Sequence, residues 1–513
     1  MVQDQKTGIE AMHTLDHVRK SFNGATSRTD RSEIGQFLTP VAIAQFMSSM
    51  FASGHQEVRI LDPGAGAGVL FATCIETLIS QENCPASIKV VAYETDSAIL
   101  PHLEDTLKRC QSLCASNSIE FNGVIRREDF VSAAIAQTRE SLFAVPREHF
   151  THVILNPPYK KINSRTALSR MLYSSDIEVA NLYAVFVWLS MLLLEPAGQM
   201  VAITPRSFCN GPYFKKFRVA FLRTMSLKRI HIFESRKKAF GDDDVLQENI
   251  IYHAVRESQK PKSVIISASD GLDFEKARTI SVPYSRVVHP KDRDMFIHLD
   301  IDGNGDSPAE QTRRFSSSLD KLGLSISTGR VVDFRAREHL KQSPQRGTVP
   351  LIYPCHFLNG FISWPVESGK KPNAIASSAE TSDLLVESGF YVLTKRFSSK
   401  EQQRRVMAAI YDPSRIDAPL VGFENHLNYF HKHGKGLPED LAKGLALYLN
   451  STVADRYFRL FSGHTQVNAT DLRKMPYPAY EQLLRLGTYV KGTMPDQGTI
   501  DAIIEKECLN CDQ

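Results

Sequence analysis

The sequence predicts an α/β protein: a mostly parallel sheet flanked by helices, followed by a second domain of mixed α+β character. Three observations carry this. From residue 33 to about residue 288, short apolar runs alternate with amphipathic stretches, the pattern of strands joined by helical crossovers. A polar stretch rich in Asp, Gly and Ser then spans 289–318 and reads as a linker. Beyond it, over 319–513, apolar runs such as Val349–Tyr353 and Phe390–Leu393 are short, and one long helix is predicted over Pro438–Phe461. A chain of 513 residues is more consistent with two domains than with one.

Residues 1–32 read as a polar, solvated lead-in. In the first domain, strands are predicted at Val58–Leu61, Ile88–Tyr93, Val153–Leu155, Met200–Ile203, Lys228–Phe233, Asn249–Val255 and Ser263–Ser267. Helices are predicted at Val41–Met50, Val69–Ser80, Leu182–Leu194 and Tyr213–Met225. The last two strands follow each other without a helix between them, which predicts an antiparallel pair at one sheet edge.

Composition narrows the function classes. Hydrophobic content of 42% and charged content of 23% are those of a soluble globular protein. The net charge of +4 admits a polyanionic partner without requiring one. Eight cysteines are scattered with no disulfide framework, as expected in a reducing cytoplasm. Cys508 and Cys511 have CxxC spacing, but no second pair completes a zinc site. Asp300, Asp302 and Asn304 imitate the start of a calcium loop, yet its twelfth position is Gln311, a neutral amide where the ion needs a bidentate carboxylate. No metal is therefore expected. The N-terminus lacks a signal peptide, and Leu182–Leu194 is too short to span a bilayer, so no membrane association is expected.

The chemistry begins at Ile60–Phe71, a strand, a turn of small residues and a helix. Gly64 and Gly66 let the backbone approach a ligand, and the helix N-terminus offers amide donors. The glycines read GxGxG, and Asp62 at the strand end would repel a pyrophosphate. An acid there suits a ligand bearing an ammonium group. Glu94, with Thr95 beside it, ends the next strand and can accept both hydroxyls of a ribose. Asp129 suits an adenine amino group, with Phe130 beside the ring. Any one of these acids alone is more often a surface carboxylate. All three in order, after successive strands, favour S-adenosyl-L-methionine as the cofactor.

Asn156-Pro157-Pro158-Tyr159 forms a rigid polar notch at the end of the third predicted strand. The nitrogen of an aromatic amine or an amide is a poor nucleophile because its lone pair is delocalised. Hydrogen bonds from its NH2 to the Asn156 side-chain oxygen and the Pro157 carbonyl would free that lone pair and aim it at a methyl group. Pro157 and Pro158 stiffen the turn, and Tyr159 offers a face for stacking. The bland alternative is a proline-rich turn after a strand. The glycine loop and the acids that precede it weigh against that.

Gly35-Gln36-Phe37-Leu38-Thr39-Pro40, the Asp62–Gly68 loop, the NPPY notch and a C-terminal domain together resemble the gamma-class, TaqI-like DNA adenine-N6 methyltransferases of type II restriction–modification systems. The specific motifs lie between residues 33 and about 260. Beyond them, "FSGHTQVNATDLRKMPYP" is similar to the tail of restriction–modification methyltransferases, and the likeness extends to the BsuBI/PstI group, which methylates CTGCAG. The resemblance implies a Rossmann-like methyltransferase domain with a C-terminal target-recognition domain. It implies that Thr39 and Pro40 close over the cofactor and that Phe240 stacks on the flipped base, although the acidic run after Gly241 departs from the family's more cationic pattern.

The NPPY geometry is shared by enzymes that methylate an RNA base or a protein glutamine amide, so the notch does not name its substrate. The additional C-terminal domain favours double-stranded DNA, where a base must be unstacked and a sequence read by a separate surface. Lys160, Lys161 and Arg165 beside the notch, Arg236–Lys238, and Lys395, Arg396, Lys400, Arg404 and Arg405 in the second domain are expected phosphate contacts. The expected enzyme acts as a monomer on DNA, alongside a separate restriction endonuclease. A binding-only subunit would have no need of Asp62, Asn156 and Tyr159, and the residues before Thr39 are too few for a fused nuclease.

Overall fold

A computed structural model describes residues 38–509 except 139–146, 164–165, 174–176, 180, 211–213, 234–248, 258, 291, 293–294, 300–313, 316, 368, 399–403 and 462–465. The chain divides into two compact units, Met1–Gly303 and Asn304–Gln513.

The first unit is a nine-stranded sheet in the order β3-β2-β1-β4-β5-β7-β6-β8-β9. The strands are β1 (Glu57–Asp62), β2 (Ser87–Tyr93), β3 (Glu120–Arg126), β4 (Phe150–Leu155), β5 (Leu194–Pro205), β6 (Met225–Phe233), β7 (Asn249–Arg256), β8 (Ser263–Ser269) and β9 (Arg278–Pro283). The helices needed below are α1 (Val41–Ser48), α2 (Val69–Ile79), α3 (Leu100–Ser116), α4 (Phe130–Thr138), α5 (Ala167–Tyr173), α6 (Leu182–Leu193) and α7 (Lys215–Thr224).

Strand alternation explains the layering. Ile60, Val90, Ile154, Val201 and Ile251 point to one face and pack with residues of α1, α2 and α3. Their neighbours Leu61, Val91, Leu155, Ala202 and Tyr252 point to the other and pack with α4, α6 and α7. With both faces covered, the central strands must be apolar almost throughout, which is why they read as continuous hydrophobic runs. Helix α6 is apolar on nearly every side because it lies in the core. Among the described residues, no helix is long and apolar enough to cross a membrane.

Three expectations need correction. The predicted antiparallel pair at the sheet edge does not form. β7 runs antiparallel between β5 and β6, while β8 pairs parallel with β6 and antiparallel with β9. The short β7–β8 connection therefore passes over β6. The pattern also missed β3, β9, α3, α4 and α5. β3 is polar and interrupted by Gly123, yet it pairs with β2 along seven residues. The buried stripe of α3 runs through Leu103, Thr106, Cys110 and Cys114, side chains too polar or small to register as a hydrophobic face.

In the second unit a six-stranded sheet carries helices on one face and a five-stranded sheet on the other. Val392, Ile410 and Phe430 face the helices, and Tyr391, Leu393, Tyr411 and Tyr429 face the second sheet. The helix expected over Pro438–Phe461 is two helices, Glu439–Leu449 and Thr452–Phe461. The break at Asn450 is fixed by its side chain, which exchanges two 3.0 Å hydrogen bonds with the backbone of Ala408. The Asp501 carboxylate accepts the first free amide of the following helix, Thr452 N, at 2.7 Å. In the stretch read as a linker, Ile297 is buried in the core of the first unit and Phe315 in that of the second. Residues 300–313, with the calcium-loop look-alike, and Cys511 lie outside the described residues.

Candidate active site

Strand order reverses at β1, which lies between β2 and β4 and is parallel to both. In an open α/β sheet the crevice at such a reversal, outside the carboxyl ends of the strands, is where ligands bind. The carboxyl ends of β1, β2, β3 and β4 carry Asp62, Glu94, Asp129 and Asn156 in turn. A cavity of about 450 Å³ opens there, lined by the Pro63–Ala67 loop, by Glu94, Thr95, Asp129 and Phe130, and by Thr39, Asn156 and Pro158. The small-residue loop and the notch residues Asn156 and Pro158 thus face one space, of a size suited to a small organic ligand.

The loop glycines have different reasons to be glycine. Gly66 has φ +53°, and a Cβ there would lie 2.7 Å from the Leu38 side chain. Gly64 has ordinary backbone angles, and a Cβ would meet nothing closer than Phe186 at 3.7 Å. Gly64 is small for the sake of the space beside it, whereas Gly66 is glycine because the turn demands it.

Glu94 clamps this loop. One carboxylate oxygen accepts Gly66 N at 2.9 Å, and the other accepts Thr95 N at 2.7 Å and Asp96 N at 2.8 Å. The residue read as a hydroxyl acceptor holds the glycine turn against the end of β2 and lines the cavity. Asp129 caps α4, its Oδ1 accepting Ser132 N at 2.8 Å, and remains exposed at the cavity rim. Phe130 is buried, with its ring 5.2 Å from those of Tyr93 and Phe186.

Asp62 is completely buried beneath the loop and does not itself line the cavity, whose wall begins at Pro63. Neither carboxylate oxygen has a hydrogen-bond partner of good geometry. Burial, with a smaller contribution from the nearby Glu94 charge, raises its pKa to about 8 against opposing contributions from the amides of Gly64 and Phe71. Those two amides lie close enough to favour the charged form without forming close, aligned bonds to it. An uncompensated buried acid beneath four cavity-lining carboxylates, Glu94, Asp96, Glu128 and Asp129, makes the site fit a cationic ligand.

At the notch, Asn156 Nδ2 donates to Thr39 Oγ1 at 3.0 Å. The Tyr159 hydroxyl donates to Asn156 Oδ1 at 3.0 Å and lies 3.4 Å from the Ile203 carbonyl. Tyr159 thus points its hydroxyl inward while its ring remains partly exposed, with the Tyr183 ring set edge-on to it at 6.3 Å. Burial raises the phenol pKa well above its ordinary value, so it stays protonated.

Of the expected site residues, Pro40, Pro157 and Tyr159, like Asp62, do not line the cavity: Pro40 precedes α1, Pro157 is buried within the turn, and Tyr159 is half-buried just after it. Phe240, Arg236–Lys238, Arg165 and Lys400 lie outside the described residues. Arg405 is a core residue rather than a phosphate contact. It is 1% exposed, its Nε donates to Ser398 at 3.1 Å, and its backbone amide bonds Asp455 at 2.6 Å. Arg404 is partly buried, which lowers its pKa. Lys160 and Lys161 are exposed beside the notch. Sequence reasoning missed Leu38, Tyr93, Asp96, Glu128, Leu182 and Phe186. Phe186 sits in the all-apolar helix α6, where periodicity cannot distinguish a cavity wall from core.

Residues 86–240 match the model of a family described as Eco57I restriction-modification methylase. The chain is 41% identical over 506 residues to the type II methyltransferase M.BsuBI of Bacillus subtilis, covering 98% of this chain and 99% of that protein. It is 40% identical over 492 residues to the type II methyltransferase M.PstI of Providencia stuartii, covering 96% of each. The chain belongs to the type II methyltransferases of restriction–modification systems, with M.BsuBI and M.PstI among its full-length relatives. Among solved structures, it is similar to the type IIL restriction-modification enzyme MmeI in complex with DNA, at TM-score 0.52 and 10% identity over 97% of this chain and 73% of that one. A DrdV–DNA complex matches at TM-score 0.52 and 14% identity over 94% of this chain and 59% of that one. These two likenesses concern the fold, a Rossmann-like methyltransferase domain followed by a C-terminal domain.

Proposed function

We propose that this methyltransferase transfers a methyl group from S-adenosylmethionine to the N6 amino group of an adenine flipped out of double-stranded DNA. The observation that carries the proposal is the single cavity shared by the small-residue loop and Asn156. The cofactor supplies an electrophilic methyl group on a sulfonium centre. Gly64 leaves room for its close approach, Glu94 accepts hydroxyls, and Asp129 with Phe130 takes the adenine end. Asp62 becomes a negative charge beneath the loop when the cationic end of the cofactor binds and lowers its raised pKa. Asn156 Oδ1 and the Pro157 carbonyl accept hydrogen bonds from the amine to be methylated, which frees its lone pair. Tyr159 steadies the asparagine through its hydroxyl and stacks on the base through its exposed ring. Phe240 is a second stacking residue, carried by resemblance alone.

The second domain reads the sequence, with CTGCAG the site that the likeness to the BsuBI/PstI group nominates. Methylation there protects DNA from a separate restriction endonuclease. The test is incubation with tritiated S-adenosylmethionine and, in parallel, duplex DNA, RNA or protein extract. Label in duplex DNA, strongest in a CTGCAG duplex, is expected. Label confined to RNA or protein would overturn the substrate, and label in DNA lacking CTGCAG would overturn the site.

A further inference from the structure

In the second unit, the strands Leu420–Phe423 and Leu427–His431 are joined by a turn closed by a 3.0 Å bond from Leu427 N to the Glu424 carbonyl. Glu424 is fully buried, yet its carboxylate is spent on a side chain that is not. Oε2 accepts His426 N at 2.9 Å, and Oε1 makes a short contact with His426 Nδ1, while the His426 side chain stays 48% exposed. A buried carboxylate is costly unless its charge is answered. The backbone bond already closes the reversal, so the turn does not require the imidazole. What the carboxylate adds is orientation: with Nδ1 held, Nε2 lies on the opposite edge of a half-exposed ring.

The surroundings point to a ligand. Phe397 is 47% exposed, and its ring stands 4.9 Å from that of His426. Arg396 lies over Phe397 at 5.9 Å, and its backbone amide bonds the His426 carbonyl at 2.9 Å. Lys395 lies over the Phe357 ring at 5.2 Å, and Lys371, paired with Asp333 at 2.7 Å, lies over the Tyr353 ring at 5.1 Å. A fixed polar edge beside an exposed aromatic ring, rimmed by cations, is complementary to a polyanion that presents flat hydrogen-bonding edges.

We propose that His426, oriented by Glu424 and flanked by Phe397, contacts a base edge in a groove of duplex DNA and sets the enzyme's preference at one position of its site. This rests on the reading that the enzyme methylates DNA. The test uses plasmid DNA of known sequence, methylated by the full chain and by His426→Ala, Glu424→Gln and Phe397→Ala variants, with modified positions mapped by single-molecule sequencing. The parent chain should mark one motif. His426→Ala should mark sites degenerate at a single position, with preference there falling tenfold or more, and Glu424→Gln should weaken preference at that same position. If His426→Ala does not fold, as judged by its melting curve, His426→Gln is read in its place. An unchanged motif and rate would overturn the inference. So would a uniform loss at all sites with a salt slope lower by about one, the mark of a phosphate contact. A parent chain that marks no DNA would bring down the proposed substrate itself, which separates the two failures.

Discussion

Thr39 Oγ1 accepts a hydrogen bond from Asn156 Nδ2 at 3.0 Å, tying a segment ahead of the glycine loop to the first residue of the notch, 117 positions later in the chain. Thr39 is 7% exposed, and its neighbour Leu38 packs on Gly66. One short segment therefore touches both halves of the cavity. Thr39→Val keeps the shape and removes the acceptor of this bond, so the Asn156 amide loses one of the contacts that fix its orientation. The expected result is a fall in kcat of about tenfold with a smaller change in KM for S-adenosylmethionine, and recovery in Thr39→Ser. A fall in cofactor affinity alone would confine Thr39 to closing over the cofactor.

Tyr159→Phe retains the ring and deletes the hydroxyl that donates to Asn156 Oδ1. Its kcat should drop by about tenfold or less, because the amine's acceptor is less well held while stacking survives. Tyr159→Ala should lose productive base binding as well. Steady-state kinetics on a DNA duplex separate these, and equal rates for Phe and Ala would show that the ring face is not used.

The two loop glycines should fail differently. Gly64→Ala meets no steric conflict in the protein, so it should fold normally and bind S-adenosylmethionine at least tenfold more weakly. Gly66→Ala forces a positive φ and a 2.7 Å approach to Leu38, so it should lower the melting temperature. Thermal unfolding and calorimetric titration distinguish these outcomes. A Gly64→Ala protein with unchanged affinity would remove that residue from the binding surface.

Asp62 makes a pH prediction. Its carboxyl is raised from an ordinary value to about 8 by burial, so the ligand-free protein is favoured when Asp62 is protonated. Stability from this group is present below pH 4 and is lost as pH climbs towards 8, by an amount on the order of a few kcal/mol. Asp62→Asn should flatten that loss. A cationic ammonium bound above Asp62 lowers its pKa, so S-adenosylmethionine should release about one proton on binding near pH 7. Its affinity should rise with pH towards 8. Calorimetry in two buffers of different ionisation enthalpy measures the proton count. A count of zero in the natural chain would mean that Asp62 serves only the amino end of α2.

Much of this site was legible in the sequence because it is built from consecutive local signals. Asp62, Glu94 and Asn156 each close a strand that the pattern predicts, Asp129 follows the unpredicted β3, and strand ends in a parallel sheet gather at one edge. Three features were hidden because they depend on pairing across the chain. The insertion of β7 between β5 and β6 leaves no trace in the periodicity of either strand. The clamp from Glu94 to Gly66 and the tie from Asn156 to Thr39 join residues whose proximity only the sheet order creates. The fate of Arg405 shows the opposite error. A basic run looks like a phosphate surface, but its buried member is held by Asp455 and Ser398 in the core.

The central claim is the identity of the methylated atom, and nucleoside mass spectrometry addresses it directly. Duplex DNA incubated with the enzyme and S-adenosylmethionine, then digested to nucleosides, should contain N6-methyldeoxyadenosine, and Asn156→Ala should yield none while still binding the cofactor. A methylated cytosine in place of methylated adenine, or undiminished product from Asn156→Ala, would contradict the account.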